Sequence, residues 1–131
     1  MAVSIMHPIN FGIFEGNISF SCGMSMADLK EAYIAQGCHN WAGGLRGITL
    51  EGGCQGVAVE RKYKGEYLYY LILAKPFTFT DEEIITLAHE CLHLVQFRLK
   101  YTLDRDREYE CEAYLHSYLM KQILKALREH E

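Results

Sequence analysis

Apolar and polar positions along the chain follow two rhythms, one near 3.6 residues and one of two, and together they predict three helices around a block of strands. Ser25 with Asp28 forms an N-cap pair ahead of "LKEAYIA", so a helix is expected over roughly Ser25 to Gln36. A second helix opens at "FTFTDEE", where Thr80 can cap and Glu83 can reach back to it. It then runs through "IITLAHECLHLVQFRLKY" without a glycine or proline. A third follows the polar turn "TLDRDR" and extends from about Glu108 to Arg128. Between the first two helices the period shortens. "RGITLE" (Arg46 to Glu51) reads as a strand, and "GVAVERKY", "KG" and "EYLYYLILA" read as strand, turn and strand of a hairpin. The second strand of the hairpin is apolar on both faces and belongs in the sheet interior, whereas the more polar first strand suits an edge. "FGIFEGNISFSC" is a candidate for one more strand, and Pro8 and Pro76 are expected at element edges. The order helix, small antiparallel sheet, helix, helix describes a single α+β domain over residues 1–131.

Composition narrows the function classes. Of the 131 residues 50% are apolar and 23% charged, which suffices for one buried core. The net charge is −4 with no basic block, so nucleic acid is not expected as principal partner. "MAVSIMHPINF" lacks the basic n-region of a secretory signal, and the longest apolar run, Tyr67 to Ala74, is too short for a bilayer. A soluble cytoplasmic protein without a membrane partner is the expectation. The five cysteines (Cys22, Cys38, Cys54, Cys91 and Cys111) are odd in number, widely spaced and without a CxxC. Reduced, mostly buried thiols are therefore expected rather than a disulfide framework or zinc ribbon. The glycine-rich "AGGLRG" and "EGGCQG" lack the spacing and following helix of a phosphate loop and read as turns.

The distinctive chemistry is in "TLAHECLHLVQF", Thr86 to Phe97. With about 100° per residue, His93 lies about 40° from His89 around the helix, beside Ile85, Thr86 and Gln96. Ile84, Leu87, Ala88, Cys91, Val95 and Leu99 form the opposite, apolar face. Cys91 is thus expected in the core despite lying inside the motif. Two imidazoles one turn apart can reach one metal ion at about 2.0 Å, with Glu90 on its flank as a base for a bound water. The plain alternative is two surface histidines on a polar helix face.

A catalytic zinc site needs a third protein ligand. The residues after His93, "LVQFRLKY", do not offer a histidine at short spacing, so candidates lie in "REYECEAYLHSYLMKQIL": Glu108, Glu110, Glu112 and His116. Glu110, Ala113, Ser117, Met120, Leu124 and Leu127 recur at three and four spacings, a seam that is small near Glu110. That seam favours Glu110; Glu112 and His116, a rival pair on the side of Leu119 and Ile123, come next in that order. The bland reading of each is a solvated helix charge. Cys111, about 100° from Glu110, points elsewhere. "GCHNW" offers Cys38 and His39 but nothing that completes a site, and Tyr67, Tyr69 and Tyr70 suit packing better than recognition.

"HECLH" followed by "ECEA" resembles the gluzincin metallopeptidases, in which HExxH on one helix is joined by a glutamate ligand on the next. The size and element order look like the minimal gluzincins and the ImmA/IrrE-like small peptidases, with the match running from about Thr80 to Leu124. The resemblance implies a zincin-like fold and Zn²⁺ as cofactor. It makes His89, His93 and Glu110 metal ligands, Glu90 the general base and Ala113 the small residue three positions after the glutamate. Thermolysin-like members carry an aspartate four residues after the glutamate ligand; Tyr114 stands there in this chain. Tyr101 and Tyr109 are near enough in sequence to be considered for stabilising a tetrahedral intermediate.

The expected activity is zinc-dependent hydrolysis of a peptide bond in a protein or peptide substrate. The substrate would lie extended along the edge strand Gly56 to Lys62, in a shallow cleft, since little chain remains for a second subdomain. The competing readings are a catalytically silent metal-binding or interaction domain, and a helical domain with no metal at all.

Overall fold

The computed structural model describes residues 2–50, 55–100 and 109–131, Tyr109 by its backbone alone. Among these residues the order is β1 (Ile5–Asn10), β2 (Asn17–Cys22), α1 (Met26–Ala35), α2 (His39–Gly44), β3 (Gly56–Tyr63), β4 (Glu66–Leu73), α3 (Asp81–Leu99) and α4 (Tyr109–Glu129). A turn of 3-10 helix at Gly12–Phe14 joins β1 to β2. The chain is thus α+β, and the three long helices fall where capping and periodicity put them. Ser25 caps α1 by accepting from the Asp28 amide at 3.1 Å.

The sheet runs β1-β2-β4-β3. The hairpin expected from "GVAVERKYKGEYLYY" is β3–β4, turning at Lys64 and Gly65, both with positive φ (50° and 79°) as a tight hairpin requires. β4 is interior and β3 an edge strand, as their patterns imply.

Three expectations are corrected. The sheet is mixed, because β2 pairs parallel with β4 while β1–β2 and β3–β4 are antiparallel. Parallel pairing needs a long crossover, and the chain between β2 and β4 supplies it with α1, α2 and β3. Second, two strands precede the first helix. β1 was hidden by Pro8, which lies within the strand rather than at its end; β1 is an edge strand, where one row of amide hydrogens has no ladder to serve. Third, "RGITLE" is not a strand over its described residues: residues 45–47 form a turn, and Ile48 and Leu50 pack into the core instead. The short helix α2 stands just before it. Two glycines in six residues and no side-chain cap left α2 without a sequence signal.

Two apolar clusters sandwich the sheet. Phe20, Tyr69, Leu71 and Leu73 face α3 and α4, meeting Leu87, Leu94, Leu115 and Leu119. Leu68, Tyr70 and Ile72 face the other way and are covered by Leu29, Tyr33, Leu45 and Ile48. No described helix is long and apolar enough to cross a membrane.

Candidate metal centre

The entry to α3 is tightly determined. Thr80 and Glu83 form the anticipated capping box, the Thr80 hydroxyl accepting from the Glu83 amide at 3.3 Å and the Glu83 carboxylate from the Thr80 amide at 3.2 Å. The same carboxylate accepts from the Thr78 amide at 3.1 Å. Burial opposes its charge, but the hydrogen bonds from Thr78 and Thr80 outweigh this and hold Glu83 below the usual carboxylate range. Phe79, between the two threonines, sits at φ 61°, a conformation few bulky residues adopt; its ring is edge-on to Phe77 at 5.0 Å. From this start, Leu87, Cys91, Leu94, Val95 and Leu99 go into the core. The apolar face is the predicted one, widened by Leu94, with Ile84 and Ala88 only half-buried.

His89 is therefore exposed and His93 half-buried on the flank of the packed face. Their rings stand edge-to-face with centroids 4.6 Å apart, and the two Nε2 atoms are 3.0 Å from one another. Two imidazole nitrogens sharing a tetrahedral zinc at 2.0–2.1 Å would be about 3.3 Å apart, so the pair fits a common ion after a shift of a few tenths of an ångström. The same separation suits an N–H···N hydrogen bond between two neutral rings. Glu90, about 60° further round the helix than His93, meets the edge strand: a Cβ on Gly56, the first residue of β3, would lie 3.7 Å from Glu90 Cγ. Sequence reasoning did not single out that glycine, although it is where the proposed base meets the edge strand.

Beyond His93, Phe97 stacks on its ring with centroids 6.3 Å apart and planes 21° apart. Lys100 lies 5.4 Å from the centre of the Phe97 ring and pairs with Glu60 of β3 at 2.8 Å. An aromatic one turn after a motif histidine was the available signal for Phe97; the Lys100–Glu60 pair, remote in sequence, had none.

The seam of α4 differs from the expected one. Leu115, Leu119, Ile123, Ala126 and Leu127 are buried, while Ala113 and Ser117 are exposed. Apolar residues on a helix go where the large side chains are, and Leu115, Leu119 and Ile123 outweigh a stripe of alanine and serine. About 100° per residue puts Glu112 in the middle of this buried direction and Glu110 about 160° away from Glu112. Glu112 is accordingly half-buried and Glu110 exposed. His116, one turn after Glu112, has Nε2 at 2.9 Å from the Ala88 carbonyl oxygen, so that nitrogen carries the proton and donates to α3 just before His89. His116 thus docks the two helices. Tyr114 is 51% exposed and stacks on Tyr118, not on either motif histidine. The structure therefore brings His89 and His93 together and leaves Glu110 on the outer side of α4; among the described residues no three His, Cys, Asp or Glu side chains form a group able to hold a metal. Glu108, Tyr101, the Tyr109 side chain, the "TLDRDR" turn and Cys54 lie outside the described residues.

Of the thiols expected to be mostly buried, Cys22 and Cys91 are buried, whereas Cys38 and Cys111 are only half-buried. Cys22, Cys38, Cys91 and Cys111 are free, and burial, with the Glu90 charge beside it, pushes the Cys91 thiol up to about 12. It is a core residue and an inert one. Tyr69 and Tyr70 are buried, whereas Tyr67 is 47% exposed under the Lys62 ammonium. Compared with protein-family models, curated proteins and solved structures, the chain matches none.

Proposed function

We propose that this protein is a zinc-dependent peptidase in which His89 and His93 hold the metal together with a carboxylate from the first turns of α4, and Glu90 is the general base. The observation that carries the reading is the approach of the two Nε2 atoms to 3.0 Å on the unpacked flank of α3, with Glu90 set against the edge strand. A zinc ion held by His89 and His93 would supply Lewis acidity, lowering the pKa of water to about 7. Glu90 takes the water proton and returns it to the amine nitrogen as the C–N bond breaks. Among the described residues β3 pairs on one side only, so its outer edge is available to an extended peptide. Gly56, which Glu90 approaches, and Ala58, which packs on the α3 side of the sheet, are small residues at this edge. Of the two carboxylates, the inward face of α4 favours Glu112 over Glu110 as third ligand.

A catalytically silent metal-binding domain is the second reading. It is favoured by Tyr114, which stacks on Tyr118 and stands where the thermolysin-like peptidases that the motif resembles have an orienting aspartate, and by the lack of a gathered third ligand among the described residues. Zinc analysis combined with peptide hydrolysis separates the two. The peptidase reading expects about one zinc per chain and a turnover that falls about 10²- to 10⁴-fold in Glu90→Gln with zinc retained. Zinc without hydrolysis supports the silent site; no zinc uptake ends both. Glu112→Ala is expected to lose zinc and Glu110→Ala to keep it, and the reverse result reinstates Glu110.

A further inference from the structure

On the face of the sheet opposite the histidines, α1, the turn after α2 and the end of β3 enclose a cleft of about 580 Å³. That volume is in the range of small-molecule sites. Its apolar lining includes Met26, Leu45, Ile48 and Tyr63, and two cations, Lys30 and Arg46, stand at its rim. None of the described lining residues is acidic. In a chain of net charge −4, this is a local reversal of sign laid over apolar surface. Both cations are exposed, and neither makes an ion pair with a described carboxylate.

The rim is also positioned. Arg61 of β3 donates from Nη1 to the Arg46 carbonyl oxygen at 2.7 Å, tying the segment that carries Arg46 to the sheet. Gly43 lets Tyr63 close the far wall, because a Cβ at that position would overlap the Tyr63 hydroxyl. Lys64, 5.5 Å from the Tyr63 ring centre, adds positive potential at the same end.

We propose that this cleft binds a small amphiphilic carboxylate, its apolar tail on Met26, Leu45 and Ile48 and its head between Lys30 and Arg46. Charge complementarity selects the head: a guanidinium grips a carboxylate by two parallel hydrogen bonds, and the neighbouring ammonium adds a point charge. The lining selects the tail, since a purely polar anion would leave that apolar surface wet.

Calorimetric titration of the full chain at pH 7 with octanoate and with octanol tests this. Octanoate is expected to bind saturably at one site, at least about tenfold more tightly than octanol, a ratio worth about 1.4 kcal/mol. The double variant Lys30→Gln, Arg46→Gln is expected to lose that preference while still binding octanol. Ala27→Phe, an exposed substitution at the wall of the cleft, is expected to abolish both. Far-UV circular dichroism checks that each variant is folded. Equal affinity for octanoate and octanol, undiminished octanoate binding in the double variant, or no saturable binding overturns the proposal. Binding of an acidic leucine-rich peptide without octanoate overturns it in favour of a protein partner.

Discussion

The α3–α4 face of the sheet and its α1–α2 face bury similar apolar side chains but treat polar groups in opposite ways. Under α1 and α2 the polar groups are inside and paired. Ser19 and the Tyr33 hydroxyl bond one another, the Tyr70 hydroxyl donates to the Trp41 carbonyl at 2.7 Å, and Trp41 stands edge-on to Tyr70 at 5.2 Å. Under α3 and α4 the interior is hydrocarbon, aromatic ring and thiol, and the chemically distinctive groups, His89, Glu90 and His93, are left on the flank. Paired groups in a low dielectric fix a unique geometry, whereas unpacked groups remain available to a ligand. The first face is specified by its polar network; the second is specified by packing and leaves its polar groups at the margin of the packed surface.

The sharpest way to break this contrast is to substitute both sides of α3. Leu94→Ala removes a fully buried side chain and is expected to cost about 2–5 kcal/mol in urea unfolding. His89→Ala, on the exposed flank, is expected to stay within about 0.5 kcal/mol. If His89→Ala proves as costly as a core truncation, the histidine pair is structural and the contrast fails.

On the other face the expectation concerns polar pairing. Tyr70→Phe keeps the ring and removes the bond to the Trp41 carbonyl, and is expected to destabilise by about 1–2 kcal/mol. Ser21 is the exception on this face: its hydroxyl is buried and has no partner among the described residues. Ser21→Ala is therefore expected to be neutral or stabilising by up to about 1 kcal/mol. A destabilised Ser21→Ala would mean that this hydroxyl too belongs to the network.

How much of each face was legible in sequence follows from the same contrast. α3 is long, capped by Thr80 and Glu83, and buries one continuous stripe, so its start could be read from the cap and most of its inward residues, Leu94 excepted, from spacing. The β3–β4 hairpin was equally readable, because alternation and the Lys64–Gly65 turn agree. α2 and β1 were not: one is too short and glycine-rich for a period, and the other carries a proline that only its edge position permits. The α4 seam shows a subtler failure. Two stripes fit the helical period, and choosing between them required knowing that the bulky one, Leu115–Leu119–Ile123, meets α3. The parallel β2–β4 pairing is a long-range outcome that no local pattern encodes. At the site, the His89–Glu90–His93 arrangement was legible because it is local to one helix, while Gly56 and the His116–Ala88 contact arise only when separate elements meet.

Alkaline titration separates the faces with a smaller signal. Burial pushes the Tyr33 hydroxyl up to about 12, even though its bond to Ser19 acts the other way, and burial raises Tyr70 as well. A tyrosine that ionises near 10 when unfolded and later when folded leaves stability untouched below about pH 10 and lowers it above, as only the unfolded chain sheds the proton. Stability is expected to fall between about pH 10 and 12, and Tyr33→Phe to flatten that fall. An unchanged slope in Tyr33→Phe would place the alkaline sensitivity outside the α1–α2 network.

The smallest effect belongs to the start of α3. Glu83 is held below the usual carboxylate range because the donors from Thr78 and Thr80 outweigh the opposing cost of burial. A depressed carboxylate contributes stability that is complete above its unfolded value near 4.3 and is lost as pH falls through the folded one. Glu83→Gln removes that charge and is expected to cost under about 1 kcal/mol at neutral pH and to flatten the acid limb of the stability curve. The single tryptophan, Trp41, sits on the opposite face and makes the result local. Fraying confined to the first turn of α3 lowers helical circular dichroism before Trp41 emission moves. If emission and dichroism change together at the same pH, or if Glu83→Gln keeps the parent's acid limb, the cap is not what positions the helix that carries the two histidines.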